Sequence, residues 1–154
     1  ENFQIDEESN NEMDSCKILV DCGATAHIIS DKSKFSKFSD NFDPANHFIE
    51  LADGSKTNGI VLGKGNANIT LTDLTGKNRI VTLKNALYIP SYKQDIFSVY
   101  SAVENGASIN FNNGNSILKN NDGIEFNISK VGKLYYLNNV KTYSAHSLED
   151  GIGF

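Results

Sequence analysis

Ile18-Leu19-Val20-Asp21-Cys22-Gly23-Ala24 is the stretch that decides the fold. Three consecutive β-forming residues run directly into a carboxylate, and the Cys-Gly-Ala that follows does not easily prolong a strand. We therefore predict that Asp21 lies where a buried strand breaks into a tight turn. A carboxylate at such a position loses hydration unless it is hydrogen-bonded, paired or protonated, which makes Asp21 a candidate site residue. The alternative for these residues alone is a plain strand followed by an Asx-turn.

The composition favours a mainly β domain. The chain has 154 residues, which fits one domain, and large apolar side chains come from nine Phe and six Tyr. Helix formers are sparse, whereas β-branched residues, Asn and Gly are plentiful. No apolar run approaches the roughly 18 residues of a membrane span, and the N-terminus is not signal-like. We therefore expect a soluble, intracellular domain that does not contact a membrane.

The net charge of −5 is unevenly distributed. Residues 1–15 contain six acidic residues and neither Lys nor Arg, and they lack hydrophobic periodicity, so we expect a flexible acidic leader. The remainder of the chain is close to neutral. Because it carries no basic footprint, we expect no direct binding of nucleic acid.

Cys16, Cys22 and His27 allow two further interpretations. Their spacing could belong to a metal site, but it lacks the close Cys-x2-Cys pairing of structural zinc sites. Cys22 and His27 could instead act as nucleophile and base, but no residue is evident that would orient the imidazole. We predict neither a metal nor a cofactor.

The rest of the chain consists of strand-like runs separated by turn signals. Asp53-Gly54 lies between two such runs and predicts a hairpin, and residues 66–72, 79–83 and 86–89 indicate a β-meander that ends at Pro90. Residues 95–99 form a second apolar run that leads into a two-turn helix over 100–106, with Gly106 as its stop.

Two regions are less determined by their patterns. Phe35, Phe38 and Phe42 are spaced by three and four residues, which fits a helical turn or a loop held by aromatic side chains. After the helix, residues 107–111 alternate as a strand. One Asn-Gly turn at 113–114 and one Asp-Gly turn at 122–123 then predict further hairpins up to Leu137.

The order of these motifs resembles the retroviral-type aspartic proteases, and within them the protease region of copia-type LTR retrotransposon Gag-Pol polyproteins. The resemblance extends from Cys16 to Leu137. It implies an all-β fold: a closed retropepsin-like barrel with one short C-terminal helix, a flap hairpin and additional C-terminal strands. Residues 16–137 would be the protease domain, and 138–154 a tail or linker toward the downstream polyprotein. The segments that carry the resemblance are Val20–Ala24, Leu51–Ser55, Leu83–Pro90, Ile96–Val99 and Gly106–Phe111.

The resemblance also implies an activity. In this family each chain supplies one aspartate, so the expected enzyme is a homodimeric aspartic endopeptidase that processes its own Gag-Pol polyprotein. Its partners would be a second copy and extended peptide segments, without a cofactor, in the cytoplasm within virus-like particles. The implied site residues are the catalytic Asp21, the active-site loop Cys22, Gly23 and Ala24, the flap Ala52, Asp53, Gly54 and Ser55, and the substrate-pocket residues Ile96 and Phe97.

Two departures from the family qualify this expectation. Cys22 replaces a Ser or Thr whose hydroxyl bonds across the dimer axis, and a thiol is a weak donor and acceptor. The alternative is therefore a catalytically silent protease-like domain that serves as a folding or interaction module. The hairpins after Phe111 could complete the barrel, replace the dimer strand or begin the segment toward integrase. Apart from these departures, Ala24, which matches the family's motif, offers no hydroxyl to the carboxylate, and this predicts mildly acidic activity.

Overall fold

The computed structural model describes residues 17–50, 56–140 and 151–154, and the chain there is mostly β-sheet. Within these residues, the prediction of a mainly β fold with one short helix is confirmed. The leader over 1–15 lies outside the described residues. No helix in the described ranges is long and apolar enough to cross a membrane.

The elements follow the predicted order closely. The helix α1 spans Val99–Glu104, and two 3-10 turns span Lys32–Lys34 and Pro44–Asn46. The strands are β1 Lys17–Asp21, β2 Ile28–Ile29, β3 Phe35–Phe38, β4 Phe48–Glu50, β5 Lys56–Asn58, β6 Gly63–Thr72, β7 Asn78–Tyr88, β8 Asp95–Ser98, β9 Ser108–Asn110, β10 Ser116–Lys119, β11 Glu125–Val131, β12 Leu134–Asn138 and β13 Ile152–Gly153.

The strand that ends at Asp21 lies inside the main sheet. The sheet has the order β3-β6-β7-β2-β8-β1-β12-β11-β10-β9, with β13 beside β7, while β4 and β5 form a separate hairpin. β1 is parallel to β8 on one side and antiparallel to β12 on the other. Ile18 and Val20 point into the core, and Leu19 and Asp21 on the opposite face are half-buried. Ile18 and Leu19 therefore have strand partners on both edges, and the end of β1 at Val20 and Asp21 is paired with β8.

The expected closed barrel is not formed by a continuous ladder, because the sheet path ends at β3 and at β9. β3 pairs with one edge of β6 between Gly65 and Ala67, and so occupies part of the edge that β11 would need for closure. Beyond β3, β11 approaches β6 only at an isolated bridge between Asp73 and Phe126. The result is a strongly curved sheet whose two arms touch without pairing along their length.

The strands after the helix extend the sheet up to the strand that carries Asp21. β10 pairs with β9, β11 with β10, and β12 with both β11 and β1. The folded part also continues past the expected boundary at Leu137. Asn139 is buried and its side chain accepts a hydrogen bond from Thr70 N–H at 2.9 Å, while Ile152 and Phe154 are 2% and 0% exposed. Part of the expected tail over 138–154 therefore belongs to the core.

Two of the three spaced Phe residues form a strand instead of a helical turn, whereas Phe42 lies in the loop that follows and packs against the smaller core. Phe35 and Phe38 lie on β3 with ring centroids 4.7 Å apart, and both contact Tyr88. Pairing of β3 with β6 overrides the helical spacing, because it buries Phe35 in the main core. A second, smaller core lies next to the candidate site and contains Ile28, Val61, Leu87 and Ile89.

Candidate active site

Asp21 lies at the last position of β1, where the sequence predicted the end of a strand. Its register partner on β8 is Ser98, the last residue of that strand and the N-cap of α1. The chain turns immediately afterwards, and Gly23 N–H donates to Asp21 Oδ1 at 2.7 Å. One carboxylate oxygen thus fixes the turn. Asp21 is half-buried, and both Cys22 and Gly23 are exposed.

Ser98 attaches the loop after Asp21 to the start of the helix. Its hydroxyl donates to the Ala24 carbonyl at 2.7 Å and accepts from Ser101 N–H at 3.0 Å. Ser98 is completely buried and its partners Ala24 and Ser101 are half-buried, so both hydrogen bonds are partly shielded from water. A single side chain therefore caps α1 and restrains the loop that carries the candidate catalytic residue.

His27 is a buried part of the same network and not a ligand or base. Nδ1 accepts from Ser98 N–H at 3.0 Å, and Nε2 lies 2.7 Å from the Phe154 carbonyl oxygen. Burial is the main cause that lowers the pKa of His27 to about 4, against a smaller opposing effect of the hydrogen bond to Phe154. Both ring nitrogens are engaged by the backbone, whereas Cys22 is exposed. The structure gives no support to a site built from Cys22 and His27.

A cleft of about 730 Å³ opens beside Asp21. It contains Asp21 and Ile96 among the residues that the sequence singled out, together with Gly23 and Ala24 of the loop. Residues that the sequence did not single out complete the lining. They come from the loop after Asp21, from β2, from the residue before β4, from the β6–β7 pair, from the segment before β8 and from α1; they are Thr25, Ala26, Ile28, His47, Lys64, Asn85, Leu87, Tyr92 and Ser101.

Phe97 does not line this cleft, contrary to the expectation for a pocket residue. It is 0% exposed and packs in the main core, with ring centroids 4.9 Å from His27 and 5.5 Å from Phe154. Neighbouring residues of a strand point to opposite faces, so Ile96 faces the cleft and Phe97 faces the core. The expected flap residues Ala52, Asp53, Gly54 and Ser55 lie outside the described residues. The strands on either side of them, β4 and β5, pair antiparallel as a hairpin requires.

Among the described residues that line the cleft, Asp21 is the one carboxylate. Asp95 lies three register positions away, at the other end of the β1–β8 pair, opposite Ile18. Its Oδ1 accepts from the backbone and the hydroxyl of Ser30, and its Oδ2 lies 3.6 Å from Lys34 Nζ. Within the described ranges no three His, Cys, Asp or Glu side chains are placed to hold a metal ion.

Asn85 marks an irregular point in the wall of the cleft. It has a φ of 56°, in the left-handed region that residues other than glycine rarely adopt. The β6–β7 register shifts opposite it, between Gly65 and Ala67. Asn tolerates this conformation, and the bulge re-aims side chains that a regular ladder would direct elsewhere.

The family model of the Pol polyprotein beta-barrel domain matches residues 18–107, which is more than half of the chain. The chain belongs to this family. The match extends from β1 through the elements that line the cleft to Ala107. It supports an origin in a retroelement Pol polyprotein and a role within that polyprotein. No curated protein matches the sequence.

Proposed function

We propose that this Pol polyprotein domain is an aspartic endopeptidase that works as a homodimer and processes the Gag-Pol polyprotein of a copia-type LTR retrotransposon. The observation that carries the proposal is the position of Asp21, at the end of β1 and in the wall of a cleft of about 730 Å³. Family membership supports a polyprotein as the context, and therefore a substrate that is present in cis. The expected location is the cytoplasm, within virus-like particles.

The need for a dimer follows from the chemistry. Peptide hydrolysis by aspartates uses two carboxylates, and the described lining of the cleft supplies Asp21 alone. Asp95 cannot provide the second group, since it lies at the opposite end of the β1–β8 pair and is engaged by Ser30 and Lys34. A second copy related by a two-fold axis would bring another Asp21 to the site.

Two facing Asp21 carboxylates would share one proton, because both cannot ionise cheaply at short distance, as is well established for the paired carboxylates of aspartic proteases. The ionised carboxylate acts as general base on a water molecule. The protonated one polarises the scissile carbonyl and later helps to protonate the leaving amine. No metal or cofactor takes part in this scheme.

The cleft suits an extended peptide. Its volume is within the range of ligand sites, and its wall combines apolar side chains from Ile28, Leu87 and Ile96 with polar groups from Lys64 and Asn85. An extended substrate would bind in the manner of an added strand, with alternate side chains in the pockets. The β4–β5 hairpin would supply the flap that closes over it.

Cys22 favours a second candidate function, that of a catalytically silent module with the same fold. The thiol is exposed beside Asp21, where the resembling proteases have a hydroxyl that bonds across the dimer axis. Without these symmetric bonds the dimer, and with it the paired carboxylates, would form less readily. Both candidates share the fold, so only a measurement of activity separates them.

The test is processing of a longer precursor that carries native sequence beyond both ends of this chain, at mildly acidic and at neutral pH. We expect cleavage by the wild type, none by Asp21→Asn, and unchanged cleavage by the matched control Asp122→Asn, which lies in an exposed turn. If only Cys22→Thr cleaves, the chain is the silent module. Equal cleavage by wild type and Asp21→Asn would exclude an aspartic protease mechanism.

A further inference from the structure

His27 is hydrogen-bonded to two backbone groups that are far away in the sequence. Ser98 N–H is 71 residues from it and the Phe154 carbonyl is 127 residues from it. The first belongs to the junction of β8 and α1, and the second to the segment that begins with β13. His27 itself follows the loop that starts at Asp21. One imidazole therefore joins three parts of the chain that the sequence keeps apart.

The two partners fix the protonation state of the ring. A backbone N–H can only donate, so Nδ1 of His27 must be the unprotonated acceptor of the bond from Ser98. A carbonyl can only accept, so Nε2 must carry the proton that is donated to Phe154. The arrangement requires a neutral imidazole in one tautomer, and His27 is 0% exposed, which favours the neutral form.

Ser98 connects the hydrogen bonds of His27 to the strand and loop that hold Asp21. The N–H of Ser98 is bound by His27, its hydroxyl binds the Ala24 carbonyl, and its backbone pairs with Asp21 in register. On the other side of the ring, Phe154 N–H donates to the Thr82 carbonyl at 2.8 Å and its side chain packs on Phe97. A shift of β13 would therefore change the carbonyl that orients the imidazole, and with it the support of the loop.

We propose that His27 is a positioning residue that couples the seating of β13 against β7 to the conformation of the loop carrying Asp21. The catalytic consequence rests on the proposed protease function, but the coupling itself does not. The seating of residues 152–154 then sets how well the two Asp21 carboxylates can be aligned in the dimer. In a polyprotein, this makes the site sensitive to strain on the chain that follows β13.

The first test needs no activity. Nitrogen-15 NMR of the imidazole in the full chain at neutral pH reports its tautomer, and we expect the Nε2–H form with a slowly exchanging proton. Hydrogen exchange of the Ser98 amide reports the support of the loop. We expect Ile152→Ala, which weakens the seating of β13, to speed this exchange about tenfold relative to Leu118→Ala, a buried control in β10. The Nδ1–H tautomer, or equal exchange in the two variants, would overturn the proposal.

Variants of His27 separate the two bonds. An Asn oxygen can replace Nδ1 but cannot reach Phe154, a Gln nitrogen can replace Nε2, and Leu replaces neither. We expect Ser98 exchange to be fastest in His27→Leu and to be partly restored in His27→Asn. In the cleavage assay we expect His27→Leu to lower kcat about tenfold more than Leu118→Ala does, with KM little changed.

The outcomes distinguish the two proposals. If the wild type cleaves no precursor, the protease function fails, and the tautomer and the exchange rates still decide the coupling. If the wild type cleaves but His27→Leu loses no more kcat than Leu118→Ala, the coupling to the catalytic loop is overturned and the protease function stands. If His27→Leu does not fold, Ile152→Ala against Leu118→Ala remains the deciding comparison.

Discussion

Asp21 and Ser98 are register partners on the parallel strands β1 and β8, at the point where the first strand turns and the second becomes a helix. The hydroxyl of Ser98 then bonds to the Ala24 carbonyl, inside the turn that Asp21 begins. The carboxylate is thus held from both sides of the turn, by strand pairing before it and by a buried side chain after it. The proposed activity depends on this support of Asp21.

Ser98→Ala should weaken both the fold and the activity. It removes an N-cap and a buried hydrogen bond, for which we expect a loss of about 1–3 kcal/mol in the free energy of unfolding. Cleavage should fall further than stability predicts, because the Ala24 carbonyl loses its partner. Urea unfolding and precursor cleavage measure the two effects. Ser108→Ala, in an exposed position of β9, is the control and should change neither.

Lys64 should favour acidic side chains in the substrate. It lines the cleft with Asp21 and forms no ion pair within the described part of the chain. A partly exposed ion pair contributes up to about 1 kcal/mol. We expect Lys64→Gln to reduce the kcat/KM ratio of Glu-containing to Gln-containing peptides by about threefold, and Lys130→Gln, on β11 away from the cleft, to leave it unchanged. An unaltered ratio in Lys64→Gln would remove Lys64 from the specificity site.

Cys22→Thr should strengthen the dimer. A hydroxyl restores the donor and acceptor that a thiol lacks, and each bond occurs twice by symmetry. With about 1 kcal/mol for each bond, the dissociation constant should fall more than tenfold. Sedimentation velocity over a concentration series measures it. Cys22→Ala should not strengthen the dimer; if it tightens the dimer as much as Thr does, the hydroxyl is not the cause.

Stability should fall in mild acid because of His27. Its pKa is about 4 in the folded protein against 6.5 for the free side chain, so below pH 6.5 the unfolded chain binds a proton that the folded chain does not. The stabilisation is complete above pH 6.5 and decreases until pH 4, by roughly 3 kcal/mol in all. Urea unfolding of wild type and His27→Gln over this range measures it, and the wild type alone should show this loss.

A second group titrates in a lower range and can be told apart from His27. Hydrogen bonds from the Thr75 hydroxyl and from Arg79 lower the pKa of Asp73 below its ordinary value of 3.8. Its stabilising contribution is present above that value and is lost only as the pH falls further. The loss between pH 6.5 and 4 is therefore assigned to His27. The loss of stability in acid also argues against a strongly acidic optimum of activity. Maximal cleavage near pH 3 would contradict this expectation.

The local patterns predicted the elements around the site well. The apolar run before Asp21, the apolar run before the helix and the stop at Gly106 all lie where residue preferences placed them. These features depend on neighbours in the sequence, such as β-forming residues before a carboxylate. The resemblance to the retroviral-type aspartic proteases placed Asp21 and Ile96 in one site, and both residues line the cleft.

What the sequence could not reveal depends on distant partners. The strand β7 continues through Asn85, where two separate runs were predicted, because the shifted register of β6 accommodates a residue with positive φ. The resemblance assigned both Ile96 and Phe97 to the pocket, and a short apolar run does not show which of two neighbouring residues faces the core. The role of His27 depends on two backbone groups, Ser98 and Phe154, that only the folded chain brings to it.

The central claim is that one active site requires two copies of Asp21. The most direct test mixes wild-type and Asp21→Asn chains at constant total concentration and follows precursor cleavage after the subunits have exchanged. If each site needs both carboxylates, activity follows the square of the wild-type fraction, and an equal mixture retains about one quarter of the activity. A linear decline to about one half would show that a single chain carries the whole site, and would contradict the claim.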